Sequence, residues 1–221
     1  MNYDLKLVYN HRLMEEYNNN DYIQQWKNIL DTDVLRGNIN LIAMYIMVYE
    51  LLEDIIISKP KDFYTLIEFD EEAQRNYKKY VLSLYDKNAC PKINTKNQAL
   101  IASLIWFKTA GAINDDDINI FAEARTLRNE VTHEMISTIT VGTEKIVDQF
   151  ALMYGLFCKI EKWWILEYEV PISGQFKPED IDEDGVMSGN MILLEIIIDI
   201  LVNNSNVHFK EACEKFGVPV K

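Results

Sequence analysis

Apolar residues in this chain recur at intervals of three and four over long stretches, and very little interrupts them. The clearest stretch runs from Asn38 to Ser58, where Leu41, Met44, Tyr45, Val48, Leu52 and Ile55 share one stripe. That spacing is the period of an amphipathic helix, not the two-residue alternation of a half-buried strand. The 221 residues include only 8 glycines and 5 prolines, so few points break the pattern. The chain is therefore expected to be all-α.

Punctuation places the elements. A first helix is expected between about Leu5 and Leu30, interrupted near Asn18 to Asp21. The Asn38 to Ser58 helix should stop at Lys59-Pro60, because proline has no N–H to donate. Further helices are expected from about Glu71 to Tyr85, Thr95 to Ala110, Ile118 to Ser137 and Glu144 to Tyr168. Gly111 should end one of these, and Asn114 to Asp117 should cap the next. Pro171 to Gly189 reads as an acidic loop, followed by helices near Asn190 to Val202 and Val207 to Phe216. The simplest organisation is one domain over 1–221, with a bundle from about Asn38 to Tyr168 and a C-terminal extension over about 172–221.

Hydrophobic residues make up 48% of the chain, enough for a core that needs no disulfide or metal. Cys90, Cys158 and Cys213 are far apart, odd in number and form no C-x-x-C pair, the pattern of reduced thiols in a cytoplasmic protein. The N-terminal MNYDLKLVYNHRLMEE lacks the features of a signal peptide. The greasiest stretch, Met191 to Val202, is too short to span a bilayer and carries Glu195 and Asp199 on one face. It should be buried in the core or in a subunit contact. The formal net charge of -13 disfavours an extended nucleic-acid clamp and an anionic membrane surface. A small local basic site remains open.

The segment FAEARTLRNEVTHEM (Phe121 to Met135) carries the chemistry-bearing pattern. On a helix, Ala124, Leu127, Val131 and Met135 face the core. Arg125, Asn129, Thr132 and His133 fall on the other side, with Arg128 at the margin. Asn129 and His133 stack four apart, whereas Arg128 and His133 flank the polar face about 140° from each other. Cleavage of RNA without a metal needs a base for the 2′-hydroxyl, an acid for the leaving oxygen and a cation for the developing charge. His133 suits proton transfer, Arg128 suits phosphate binding, and Asn129 can orient either partner. One helix supplies one histidine and one such arginine; two copies across a dimer axis would supply two of each.

Arg128, Asn129 and His133, placed on a helix of a bundle, resemble the R-x4-H signature of HEPN domains. The resemblance implies an HEPN-like helical bundle, here with N- and C-terminal helical extensions, in which the arginine and histidine are the catalytic pair. It implies a homodimer with a composite cleft, an RNA substrate and no metal or other cofactor. The family includes toxins paired with an antitoxin, phage-defence proteins and nuclease domains of CRISPR effectors. It also includes members without nuclease activity, for which a nucleotide or protein partner is the expectation. Some sites recruit an acid from an earlier helix. Glu50, Glu53 and Asp54 are the candidates here, with Glu53 or Asp54 expected to pair with Arg128. Glu123, Glu130 and Glu134 put the motif in a locally negative setting.

Other constellations are set aside. PEDIDEDG (Pro178 to Gly185) imitates a calcium loop, but Met191 stands where the bidentate glutamate belongs. Asp115 to Asp117 fit capping better than a metal site. Of Trp163 and Trp164, which point to different sides, one should be core and the other free for an interface. His11 and His208 are isolated and receive no role.

Overall fold

The computed structural model describes residues 26–27, 29–65, 71–141, 143–174 and 181–203. Among these, every regular element is helical and none is a strand. Residues 5–25 and 28 of the helix expected between Leu5 and Leu30, the whole of the helix expected over Val207 to Phe216, and His11, His208, Cys213 and Asp180 of the acidic loop lie outside the described residues.

Helix α1 (Thr32–Thr65) is the axis of the molecule. It starts where the Asp31 carboxylate accepts from the backbone N–H groups of Asp33 (3.0 Å) and Val34 (3.2 Å), satisfying donors that a helix start leaves free. Its stripe of Tyr45, Val48, Tyr49, Leu52 and Ile56 is buried completely or nearly so. Each such side chain contributes on the order of 1.5–3 kcal/mol of burial. Around α1 pack α2 (Glu71–Tyr80), α3 (Gln98–Thr109), α4 (Asp115–His133), α5 (Met135–Val141), α6 (Glu144–Trp164) and α7 (Gly189–Asn203). Helices α4 and α6 also pack closely on each other.

Two prolines do not stop helices as expected. Pro60 lies inside α1, buried, and the helix continues to Thr65. What carries it past the break is tertiary. Lys59 reaches the buried Glu161 carboxylate at 3.1 Å and lies 5.0 Å from the Trp164 ring centre. One turn on, Phe63 packs edge-on against Tyr168 (4.7 Å) and Trp164 (6.2 Å). These aromatic contacts offset a lost backbone hydrogen bond. Likewise, the chain does not enter its loop at Pro171. A π-turn over Ile165–Glu169, in which the Val170 N–H donates to the Ile165 carbonyl, leads into a last helical turn, Val170–Ser173. Gly174, at φ +60°, ends it in the left-handed conformation that glycine adopts without strain.

Other expectations hold in part. Gly111 (φ +82°) follows α3, and Asn114 and Asp117 form a reciprocal capping box on α4. Trp164 is buried, but Trp163 is also half-buried against Trp106, Phe107 and Tyr168. Helix α7 buries Met191 and Leu194, while Leu193 and Ile200 stay exposed, so its apolar circumference is only half used. No described helix is long and apolar enough to cross a membrane. Burial pushes the Cys90 and Cys158 thiols above their ordinary range.

Candidate active site

The motif occupies the last half of α4, antiparallel to α1. Ala124, Leu127 and Val131 face the core as their spacing requires. Met135 does not. The helix ends at His133, Glu134 leaves helical geometry (φ -118°, ψ 33°), α5 starts afresh at Met135, and Met135 is 42% exposed. His133 is therefore the final helical residue, not one in mid-helix. It lies exposed at the α4–α5 break, in an open depression of about 370 Å³ that Thr132, Met135 and Ile136 also line.

Two arginines join α4 to α1, and they do so differently. Arg125 turns inward. Its Nη1 donates to Glu53 Oε2 (2.7 Å) and to the Tyr49 hydroxyl oxygen (2.8 Å), and its Nη2 approaches Thr95 Oγ1 at 3.4 Å. Its Nε is buried with no hydrogen-bond partner among the described residues. The Tyr49 hydroxyl donates in turn to Glu53. Burial first, and then the Glu53 carboxylate, push that hydroxyl well above the ordinary phenol range, with Arg125 pulling the other way.

Arg128 turns outward. Its Nε donates to Glu50 Oε1 at 2.9 Å, Nη2 donates to the same oxygen, and Nη1 donates to Asn129 Oδ1 at 3.2 Å. The guanidinium lies 5.5 Å from the Tyr49 ring centre. Arg128 is thus held on three sides, while its side chain keeps 33% exposure against 51% for Glu50. A pair this open is weakly bound, because water and salt compete for it.

The partners of Arg128 differ from expectation. Glu50 pairs with it, Glu53 pairs with Arg125, and Asp54 is exposed with no ion pair among the described residues. The cause is register. In antiparallel helices, a step of three forward on one matches three back on the other, so Glu50 and Glu53 meet Arg128 and Arg125 in turn. Tyr49, which touches both arginines, was not among the candidates; its clue was its position beside Glu50 on the stripe that faces α4. Thr132 donates to the Arg128 carbonyl at 2.7 Å, a local helical bond that leaves its exposed side chain facing solvent.

The structure therefore brings Arg128 and Asn129 into contact and keeps Asn129 and His133 exposed on successive turns. Arg128 does not line the depression that holds His133. Among the described residues, no group of three or more histidine, cysteine or acidic side chains is arranged to hold a metal. No protein-family model, curated protein or solved structure matches this chain.

Proposed function

We propose that this chain is an HEPN-like, metal-independent endoribonuclease of the toxin or phage-defence type, active as a homodimer. The observation that carries the reading is the exposed polar face of α4, where Asn129 and His133 stack one turn apart and Arg128 binds Asn129 at the margin. In this reading His133 moves the proton of the attacking 2′-hydroxyl or of the leaving oxygen. Arg128, released from its open pair with Glu50, takes the phosphate, for which its planar fork is suited. Asn129 keeps the guanidinium aimed. The separation of Arg128 from the His133 depression within one chain favours a cleft completed by a second copy.

The test is incubation of the purified protein with RNA in excess chelator, followed by end-group analysis. The expected products carry 2′,3′-cyclic phosphate, and His133→Ala and Arg128→Ala each lower the rate by about 100-fold or more. Activity that survives both substitutions would sink the proposal.

One observation favours a second reading, a non-catalytic HEPN-like module that binds a nucleotide or a protein partner. The Arg128 guanidinium is committed to Glu50 and Asn129 in the isolated chain, and the surroundings are acidic. Sedimentation and pulldown in the presence and absence of RNA separate the two. A stable protein complex without His133-dependent RNA turnover selects the second.

A further inference from the structure

A cleft of about 440 Å³ opens between α4 and α6, beside the motif face, and neither arginine lines it. Its volume is in the range of small-molecule sites, roughly 300–1,000 Å³. Its floor is apolar and buried, formed by Ala122 and Leu127. Two polar groups converge on that floor. Gln149, itself buried, donates through Nε2 to the Ile120 carbonyl at 3.1 Å, which locks the amide. Its carbonyl oxygen accepts from no described residue. Thr126 donates to the Ala122 carbonyl at 3.0 Å, so its oxygen keeps acceptor capacity.

The rim is mixed in charge. Lys92 pairs with no acidic side chain among the described residues. Lys145 reaches Glu130 at 2.9 Å in a pair exposed at 73% and 50%, which holds the ammonium weakly. Glu123 lines the cleft as well. A purely anionic amphiphile would meet the Glu123 carboxylate. A ligand with a flat apolar body, N–H donors on its edge and a phosphate beyond would meet Glu123 and Gln149 with its donors and the lysines with its charge. A nucleotide whose base carries an exocyclic amine is a ligand of this kind.

We propose that the α4–α6 cleft seats one nucleotide of the RNA strand, next to the phosphate that His133 addresses. The polymer in this statement rests on the ribonuclease reading; the nucleotide site itself does not. Along α4, Thr126 and His133 are seven residues apart, a rise of about 10 Å at 1.5 Å per residue, which neighbouring nucleotides can span. In a chain of net charge -13, Lys92 and Lys145 then supply a local basic handle.

The experiment is titration of the full chain with AMP, CMP, UMP, ribose 5-phosphate and inorganic phosphate by calorimetry, alongside RNA turnover. AMP or CMP should bind about tenfold tighter than UMP, and the two base-free probes should not compete. Lys92→Glu, an exposed substitution, should weaken binding by about tenfold, as should Gln149→Leu, each removing one polar contact to the ligand. His133→Ala should bind as tightly as the native chain and cut no RNA. If no mononucleotide binds, or neither Lys92→Glu nor Gln149→Leu alters binding, the site is wrong, even where His133-dependent cleavage persists. Normal nucleotide binding without any RNA cleavage would support the site and overturn the ribonuclease reading instead.

Discussion

The two arginine–glutamate pairs across the α1–α4 seam have the same chemistry and lie one helical turn apart, yet they have opposite characters. The Arg125–Glu53 pair is about a fifth exposed on both sides, tied to Tyr49 and near Thr95, with one guanidinium nitrogen buried and unmatched among the described residues. The Arg128–Glu50 pair, one turn away, is a third to a half exposed and shares its guanidinium with Asn129. Burial separates them. A cation largely withdrawn from water becomes a fixture of the fold, whereas one at the edge of water can exchange its partner for a phosphate. Tyr49 links the two, with its hydroxyl in the inner pair and its ring beneath the outer one.

The inner pair should break most expensively. Arg125→Ala leaves Glu53 half-buried without its cation, and the expected loss is about 2–3 kcal/mol in urea unfolding. A loss no greater than that of Arg128→Ala would erase the distinction between the pairs. Tyr49→Phe should cost about 1 kcal/mol, because it removes one hydroxyl from the inner network but keeps the ring under Arg128. Cleavage should then fall little, and a collapse of activity at unchanged stability would move Tyr49 into the outer group. The smallest change in stability, under about 1 kcal/mol, is expected for Glu50→Gln. Its effect should appear in RNA affinity, which rises as Arg128 is freed; an unchanged or weaker affinity would show that Glu50 aims the arginine instead of masking it.

Much of this was legible along the chain. The stripe through Tyr45, Val48 and Leu52 and the caps at Asn114 and Asp117 depend on neighbours three or four residues away, and that periodicity is visible in a string of letters. The same holds for the placing of Asn129 and His133 on one face. Less visible was the fate of Pro60 and Pro171. A proline's local penalty is about 3 kcal/mol, and whether a helix survives it depends on contacts far away in sequence. For Pro60 those contacts are Glu161 with Lys59 and Tyr168 with Phe63.

What the amino-acid order settled alone is the all-helical class, the polar face of α4 and the residue types on it, because helical period is a local property. Which acid meets which arginine was decided by the antiparallel register of α1 against α4, which no local rule contains. The early end of α4 at His133, and the cleft beside it between α4 and α6, were likewise settled only when the helices packed. Shape and burial belong to pairs of elements, and burial is what makes Arg125 a fixture and leaves Arg128 open to exchange.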